Sequence, residues 1–387
     1  MEMLAGFFEF LSSSAGYILP FLFVLTVVVF FHELGHFAVA RWNGVRVETF
    51  SVGFGSEIFG YTDKHGTRWK FSWIPLGGYV RFHGDANVAS VPDSSSVDED
   101  DEGNFHTKPL GARMAVAAAG PLANFILAIV IFATLAFFFG EYSRPPRIDE
   151  VRPDSAAEQA GLLAGDIVRA IDGSEIESFQ DIREKVLLRP DETLEFTIER
   201  GSDLLLLAVT PRWETTTDLF GNETRAGVLG VIQHASEQDS EIRHVEYGII
   251  GALGQGISRT YVITRDTLSY IGQMITGQRN ADQLGGPIRI AQISGQSAEL
   301  GWLALIQLTA LLSVSIGLIN LFPIPLLDGG HLLYYSIEGL LGKPLAQRYQ
   351  NAGFHLGLAF VILLMVFVTW NDLRHLKLFA YLRDVLS

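Results

Sequence analysis

The sequence of 387 residues contains no cysteine. Disulfide bonds, iron–sulfur clusters, thiolate zinc sites and cysteine nucleophiles are therefore excluded. Any metal ion that the protein holds must be bound by histidine, aspartate or glutamate side chains.

Charged residues are also scarce, at 18% of the chain, whereas a typical soluble protein has about 25%. Basic residues are fewer than acidic ones, 28 against 43, which gives a formal net charge of −15. A nucleic-acid partner requires a basic face, so this balance argues against one. Apolar residues make up 48% of the chain, and this composition argues against both a disordered chain and an ordinary soluble enzyme.

Four stretches carry no charged residue at all, and each is long enough to cross a membrane. They are residues 10–31, 114–140, 300–327 and 349–371, with lengths of 22, 27, 28 and 23 residues. About 20 residues of helix cross a hydrocarbon core of about 30 Å. The sequence therefore predicts a polytopic α-helical membrane protein with about four transmembrane helices.

The predicted orientation follows from the short loops, because loops rich in lysine and arginine stay on the cytoplasmic side. Residues 41–113 contain eight basic residues and the loop between the last two spans contains two, against three in the C-terminal tail. We therefore expect residues 41–113 in the cytoplasm, and both termini and residues 141–300 outside.

The segment between the second and third spans shows two kinds of pattern. Residues 147–212 alternate short β-rich runs with glycine turns, which predicts a small α+β domain of roughly 65 residues. Over residues 241–300, apolar side chains recur at helical spacing. This spacing indicates one or two amphipathic helices at the membrane surface, with a fifth span at 245–263 as the alternative. The acidic stretch 91–103 is interpreted as a solvated, disordered loop.

These patterns predict six parts of the chain. They are the first transmembrane helix (1–44), a cytoplasmic-side β-hairpin with the acidic loop (45–113), the second transmembrane helix (114–140), the α+β domain (145–213), an amphipathic helical segment (214–300), and the third and fourth transmembrane helices (301–387). The α+β domain is therefore an insertion between the second and third spans.

The first span runs directly into His32, Glu33 and His36, which form an H-E-x-x-H pattern. Residues i and i+4 share one face of a helix, so both imidazoles can reach one ion, and Glu33 is placed to take a proton from a water there. Charged groups at mid-bilayer cost roughly 2.5–3.5 kcal/mol and are rarely present for packing. The pattern predicts a metal site, and the alternative is a set of satisfied interior polar groups.

A catalytic zinc ion usually has three protein ligands, so the two histidines leave one ligand to be found. Asp328 is the carboxylate at membrane depth in the third span, and it follows Pro323 and Pro325, which break the helix. We predict Asp328 as the third ligand, and the alternative is an ordinary loop aspartate before a Gly-Gly turn. His331 is the other candidate for the third ligand, and it is interpreted as a surface residue or as one that contacts a ligand.

Asn320 is a buried amide in the same motif, and it can stabilise an oxyanion or grip a substrate backbone. The alternative is a hydrogen bond between helices. The remaining histidines have no partner at ligand spacing and are predicted to be surface or interfacial residues; they are His65, His83, His106, His234, His244, His355 and His375.

Two motifs carry a resemblance to a known family. F-H-E-L-G-H at 31–36 and N-L-F-P-I-P-L-L-D-G-G at 320–330 resemble the site-2 protease family of intramembrane zinc metalloproteases, peptidase family M50, and within it the branch of the bacterial regulator of sigma-E protease. The segments 50–55 and 74–80 are similar to the membrane-re-entrant β-hairpin of that family. The segments 119–125 and 285–288 are similar to its signatures in the second span and ahead of the third.

The resemblance implies roles for particular residues. It implies His32, His36 and Asp328 as ligands of Zn²⁺, Glu33 as general base, and Asn320 as a residue that contacts substrate. Further substrate contacts are expected from the two motifs that flank the site, namely Gly53, Phe54 and Gly55 in the hairpin and Pro323 and Pro325 in the third span. An unwound substrate is expected to add to residues 45–52 as an edge strand, and the alternative is a plain cytoplasmic hairpin.

The resemblance also implies a location and a substrate class. Residues 147–212, with the segment 160–168, resemble a bacterial PDZ domain, and only one such domain is found in the sequence, whereas the family branch that it resembles has two in tandem. The expected protein lies in the bacterial inner membrane with its PDZ-like domain in the periplasm. Its expected substrates are single-pass membrane proteins of the anti-sigma-factor type, already cut by a first protease.

Two other functions compete with this interpretation. One is a catalytically inactive membrane PDZ scaffold, which the intact set of His32, Glu33, His36 and Asp328 argues against. The other is a metal transporter, which should show repeated halves with matching broken helices. No such repeat is found in the sequence.

Overall fold

The computed structural model describes residues 2–85, 103–187, 189–217, 223–233, 243–277 and 284–375. The chain divides into two compact units, which are Met1–Phe132 with Gly256–Thr264 and Ala281–Ser387, and Ala133–Gln255 with Arg265–Asn280. The predicted acidic loop at 91–103 lies outside the described residues except for Gly103.

Long apolar helices dominate the first unit. The helices of the described residues are α1 (Glu2–Trp42), α2 (Leu110–Phe139), α3 (Ala156–Gln159), α4 (Phe179–Leu187), α5 (Ile249–Ile275), α6 (Pro287–Glu299), α7 (Trp302–Asn320), α8 (Asp328–Leu341) and α9 (Gln347–His375). Four stretches of them are long and apolar enough to cross a membrane: Gly16–Trp42, Leu110–Phe139, Trp302–Asn320 and Arg348–Arg374. The prediction of a polytopic helical membrane protein is confirmed.

The third span is shorter than its charge-free stretch predicts. α7 ends at Asn320, seven residues before Leu327. Proline lacks the N–H that a helix needs and clashes with the preceding turn, so Pro323 and Pro325 end the helix and leave residues 321–327 as a loop. A new helix, α8, then begins at Asp328.

The segment before the third span is helical and amphipathic, as predicted. α5 exposes Ile249, Leu253, Ile257 and Tyr261, which are spaced four residues apart and so share one face. α5 is not among the helices apolar enough to cross a membrane in the described residues, so the alternative of a fifth span finds no support.

The β-strands fall into two groups, one after the first span and one in the inserted segment. They are β1 (Val47–Thr62), β2 (Arg68–Phe82), β3 (Glu141–Ser143), β4 (Glu150–Val151), β5 (Ile167–Ile171), β6 (Ser174–Glu175), β7 (Leu194–Arg200), β8 (Asp203–Val209), β9 (Arg212–Thr217), β10 (Glu223–Val228), β11 (Val231–Ile232) and β12 (Arg243–Val245). β3 pairs with β12, so the two ends of the inserted segment are joined to each other.

The predicted hairpin is present, but its pairing is not that of a simple hairpin. β1 and β2 are long and irregular in register. Residues 49–52 of β1 pair with residues 78–81 of β2 on one side and with residues 68–71 of β2 on the other. The expectation that residues 45–52 form a free edge strand is therefore wrong for 49–52, because these residues have neighbours on both sides. Sequence periodicity could not show this, since it says which face a residue lies on and not which strand pairs with it.

The inserted domain contains a four-stranded sheet in the order β6-β5-β7-β8. Core side chains alternate along β7, at Leu194, Phe196 and Ile198, and β5 adds Val168 and Ile171. The helix α4 of this domain begins at Phe179, and Ser178 and Asp181 cap it by accepting each other's backbone N–H.

The inserted domain extends beyond its predicted end at residue 213. β9 and β10 form a hairpin, and β11 pairs with β4 at the start of the domain. Leu229 belongs to the buried core. The prediction of a helical segment from residue 214 is therefore wrong up to Ile232, because strands of two to six residues are too short to show a clear period. Helical structure begins at Ile249.

Candidate metal centre

α1 places two imidazoles on one face. His32 and His36 are both buried, and their rings meet edge to face with centroids 4.9 Å apart. Their Nε2 atoms lie 3.3 Å from each other. The i, i+4 spacing predicted in the sequence therefore brings the two nitrogens to one point.

Asp328 reaches the same point from another helix. It is the first residue of α8, and its Oδ2 lies 3.2 Å from His32 Nε2 and 3.4 Å from His36 Nε2. A search of the described residues for metal-binding groups finds these three residues together. The predicted trio of His32, His36 and Asp328 is thus assembled in the structure.

The three atoms that converge can all act as hydrogen-bond acceptors. His36 Nδ1 lies 2.8 Å from the carbonyl oxygen of Val116, which can only accept, so Nδ1 carries the proton and Nε2 of the neutral ring has a lone pair. Among the described residues, Asp328 Oδ2 is buried without a hydrogen-bond partner. Lone pairs that face one another repel, so this arrangement is suited to a cation.

The spacing also fits the expected ion. Ligands at about 2.0–2.1 Å from a tetrahedral zinc ion lie about 3.3–3.4 Å from one another. The observed separations of 3.2, 3.3 and 3.4 Å agree with this. Two imidazoles and one carboxylate leave a fourth position for water or substrate, as in catalytic zinc sites.

Residues of α2 contact the two histidines. A Cβ added to Gly120 would lie 2.2 Å from His36 Nε2, so only glycine leaves room for that ring. Asn124 is fully buried, and its side-chain amide lies 3.3 Å from His32 Nδ1. The amide oxygen and nitrogen can exchange by a half-turn. With the oxygen toward His32, the ring donates from Nδ1 and keeps the Nε2 lone pair free.

The role of Asn124 was missed in the sequence, although the residue lies in the segment 119–125 that resembles a family signature. Its buried Oδ1 has no hydrogen-bond partner among the described residues in the orientation shown. An asparagine in an apolar helix was the available signal, since such amides are rarely present for packing.

Glu33 lies next to the trio and against the sheet. A Cβ added to Gly78 of β2 would lie 3.3 Å from the Cγ of Glu33, so the side chain packs against this strand. The side chain lines the same cavity as the metal-binding trio. Glu33 is therefore placed between the metal position and residues 78–80 of β2.

A cavity of about 840 Å³ contains this site. Three of the predicted substrate contacts line it, namely Phe54, Asn320 and Pro325, whereas Gly53, Gly55 and Pro323 do not. Residues 78–80 and Phe82 form part of the wall. The cavity thus joins the metal position to the sheet, as a peptide-binding site requires.

Three more histidines line this cavity. His331 does so without belonging to the trio. His106 and His355 also line it, although the sequence placed them at the surface or interface. His106 Nε2 lies 2.9 Å from Asp85 Oδ1, which orients the ring. Phe105 and His106, just ahead of α2, therefore supply part of a wall that sequence spacing did not reveal.

Four apolar helices, three convergent ligand atoms and an adjacent glutamate are the features of a membrane-embedded metal-dependent hydrolase. The model of "Peptidase family M50" matches residues 20–364. The chain therefore belongs to peptidase family M50.

Relatives with curated names agree with this family. The chain is 48% identical over 365 residues to a provisionally named zinc metalloprotease of Agrobacterium fabrum, and the aligned residues cover 93% of this chain and 96% of that protein. It is 46% identical over 365 residues to another provisionally named zinc metalloprotease, of Rhizobium meliloti, with coverage of 93% and 97%. It is 38% identical over 387 residues to the metalloprotease MmpA of Caulobacter vibrioides, with coverage of 93% and 96%. Together these findings support a zinc metalloendopeptidase.

A solved structure also aligns with a part of the chain. It is the PDZ domain of an SdrC-like protein from Listeria monocytogenes, at 20% identity and a TM-score of 0.18, covering 24% of this chain and 87% of that domain. A score this low does not establish a shared fold.

Proposed function

We propose that the protein is an intramembrane zinc metalloendopeptidase in which His32, His36 and Asp328 hold Zn²⁺ and Glu33 is the general base. The observation that carries the proposal is the convergence of three buried ligand atoms within 3.2–3.4 Å of one another. His32 and His36 lie within the first apolar helix and Asp328 begins α8, and all three line a cavity large enough for an extended peptide.

The proposed reaction is hydrolysis of a peptide bond inside the membrane. Zinc, when bound, supplies Lewis-acid polarisation of the scissile carbonyl and increases the acidity of water. Glu33 takes one proton from the attacking water and delivers it to the nitrogen of the leaving amine. Asn320 lines the cavity at the end of α7 and is placed to donate a hydrogen bond to a substrate carbonyl.

The substrate must be unwound before it is cut, because a helix keeps its amides in hydrogen bonds. We propose that residues 78–82 of β2, and not residues 45–52, form the strand to which it adds. These residues pair with β1 on one side, and four of them line the cavity on the other. Strand addition there restores the backbone hydrogen bonds of the substrate and places it beside Glu33.

The sheet has an apolar outer surface that supports its re-entry into the membrane. Phe59, Trp73, Ile74 and Leu76 are all at least half exposed. Such a patch on a sheet in a soluble setting would be a liability. Contact with lipid, as in the re-entrant hairpin of the family, removes this cost.

The natural substrates are proposed to be single-pass membrane proteins of the anti-sigma-factor type. The inserted domain is proposed to be PDZ-like and periplasmic, and to exclude bulky substrates until a first protease has trimmed them. The proposal places the protein in the bacterial inner membrane with both termini outside. The basic residues of 41–113 support this orientation.

The test is cleavage of a single-span anti-sigma-type substrate by the full chain in lipid vesicles. We expect cleavage that a chelator abolishes and added Zn²⁺ restores, because the trio has no other source of a Lewis acid. A substrate that stays intact while the vesicles accumulate zinc would instead support the transporter. Cleavage that continues undiminished after the ion has been removed would refute the proposed mechanism.

The position of the substrate strand can be tested by disulfide trapping, because the natural chain has no cysteine. We expect a Tyr79→Cys variant in a Glu33→Gln background to form a disulfide with single cysteines placed along the unwound part of the substrate. The bond requires Cβ atoms about 3.5–4.5 Å apart, so it reports direct neighbours. The measurement is the fraction of cross-linked product on a non-reducing gel.

The matched control is Tyr61→Cys, another aromatic residue of the same sheet, which pairs with Trp69 and does not line the cavity. It should form no cross-link above background. Cross-linking at position 61 but not at position 79 contradicts the proposed strand.

A further inference from the structure

The helix that carries Asp328 is held sterically at its first turn. A Cβ added to Gly329 would lie 2.2 Å from the carbonyl oxygen of Phe322, and one added to Gly330 would lie 2.4 Å from that of Ile324. Leu326, just before the helix, has a φ of +101°, which a non-glycine residue rarely adopts. α8 therefore starts from a tightly packed loop, and its direction still has to be set at its other end.

An ion pair holds that other end. Glu338, in the last turns of α8, receives two hydrogen bonds from Arg113, one of them 3.2 Å from Nη1 to Oε2. Both side chains are only 14% exposed. Arg113 Nε also donates to the carbonyl oxygen of Lys108 at 3.2 Å. The guanidinium lies 4.9 Å from the ring centroid of Tyr335, also in α8.

The guanidinium is therefore held by three hydrogen bonds and one aromatic ring. Its two terminal nitrogens bind the carboxylate, its Nε binds a carbonyl group, and its face lies over an aromatic ring. Both oxygens of Glu338 accept from it. Both residues line the cavity, but each is held by the other in a two-bond ion pair, so the pair is suited to hold α8.

Arg113 belongs to the helix that also holds the two histidines. It lies in the first turn of α2, three residues before Val116, whose carbonyl accepts from His36. Further along the same helix, Asn124 contacts His32. One helix thus contacts both imidazoles directly and contacts the aspartate helix through Arg113.

We propose that the Arg113–Glu338 pair is a positioning device that sets the reach of Asp328 to the two imidazoles and thereby the affinity of the site for zinc. The inference rests on the metal site proposed above. A metal site tolerates ligand distances within about 0.2 Å, so a small rotation of α8 lowers the affinity. Neither residue touches the reacting atoms.

The test measures the zinc dissociation constant of the full chain in detergent by competition with a chromogenic chelator. We expect Arg113→Gln and Glu338→Gln each to weaken zinc binding about 10–100-fold, the range found for groups that orient metal ligands. The exchanged pair, Arg113→Glu with Glu338→Arg, should recover most of this loss. A merely structural role would lower the melting temperature without this recovery of affinity.

The matched control is Arg200→Gln in the inserted domain. Arg200 pairs with the buried carboxylate of Asp166 through two short hydrogen bonds, so the substitution removes a comparable ion pair from the unit that does not contain the candidate metal site. We expect it to leave zinc affinity unchanged.

Three outcomes contradict the proposal: unchanged zinc affinity in folded single variants, a folded exchange variant that recovers nothing, or an equal loss in the control. If both single variants fail to fold, Tyr335→Leu replaces them, because this variant removes the ring beside the guanidinium and keeps both charges. Unchanged zinc affinity in Tyr335→Leu also contradicts the proposal. A wild-type chain that binds no zinc refutes the metal site itself, whereas a wild type and variants that bind equally refute only the role of the pair.

Discussion

Replacing Glu33 with glutamine is expected to abolish cleavage while the protein still binds zinc. Glutamine has nearly the same shape as glutamate and keeps the packing against Gly78, but it cannot take a proton from water. General acid–base catalysis contributes about 10²–10⁴-fold, so we expect a loss of this size in kcat/KM. The measurement is single-turnover cleavage of the vesicle-bound substrate together with zinc content.

Glu57→Gln is the control for this variant. Glu57 lies in the β-sheet against which Glu33 packs, and its side chain pairs with Arg68 at the surface. Its replacement should therefore leave cleavage unchanged. A Glu33→Gln variant with wild-type cleavage excludes Glu33 as the general base. The variant also separates the competing functions, because a zinc transporter has no special need for a base beside its ligands.

Replacing Asp328 with alanine is expected to remove both zinc and activity. Asp328 supplies one of three ligand atoms and the only negative charge among them. Loss of a group that merely orients a ligand costs about 10–100-fold in affinity, and we expect a larger loss here. The measurement is again the zinc dissociation constant, followed by cleavage with saturating zinc.

Thermal unfolding gives an independent reading of the same site. An ion that binds only the folded state at 100 times its dissociation constant stabilises it by about 2.7 kcal/mol. Zinc should therefore raise the melting temperature of the wild type and of Glu33→Gln, but not that of Asp328→Ala. Equal zinc-dependent shifts in the wild type and Asp328→Ala would show that Asp328 is not a ligand.

The control for Asp328→Ala is Asp372→Asn, which alters another buried carboxylate. Asp372, in α9, accepts hydrogen bonds from the backbone N–H groups of Gly286, Ile288 and Arg289 at the start of α6. Its substitution should lower stability, and zinc should still raise the melting temperature of this variant. The comparison separates loss of the metal from loss of a buried anion.

Local order in the chain was sufficient to predict several features. Charge-free stretches predict spans because a bilayer core excludes charge over a fixed length. The H-E-x-x-H pattern predicts that His32 and His36 share a face because a helix repeats every 3.6 residues. Pro323 and Pro325 predict the end of α7, since proline cannot donate to the helix.

Other features depend on contacts between distant parts of the chain. The pairing of β1 with β2 leaves residues 78–82, and not residues 45–52, beside the cavity. The inserted domain ends beyond residue 213 because β11 returns to pair with β4. A strand shows which residues face one side, but its partner is chosen by the whole fold.

The sequence by itself predicted the membrane spans, the two histidines and the aspartate that converge on the candidate metal position, and the glutamate beside them. Only the tertiary structure decided how this position is held, with Asn124 behind His32, Val116 behind His36 and the Arg113–Glu338 pair at the end of the aspartate helix. The physical reason is that periodicity and breakers act within one helix, whereas these contacts join helices that are far apart in the chain.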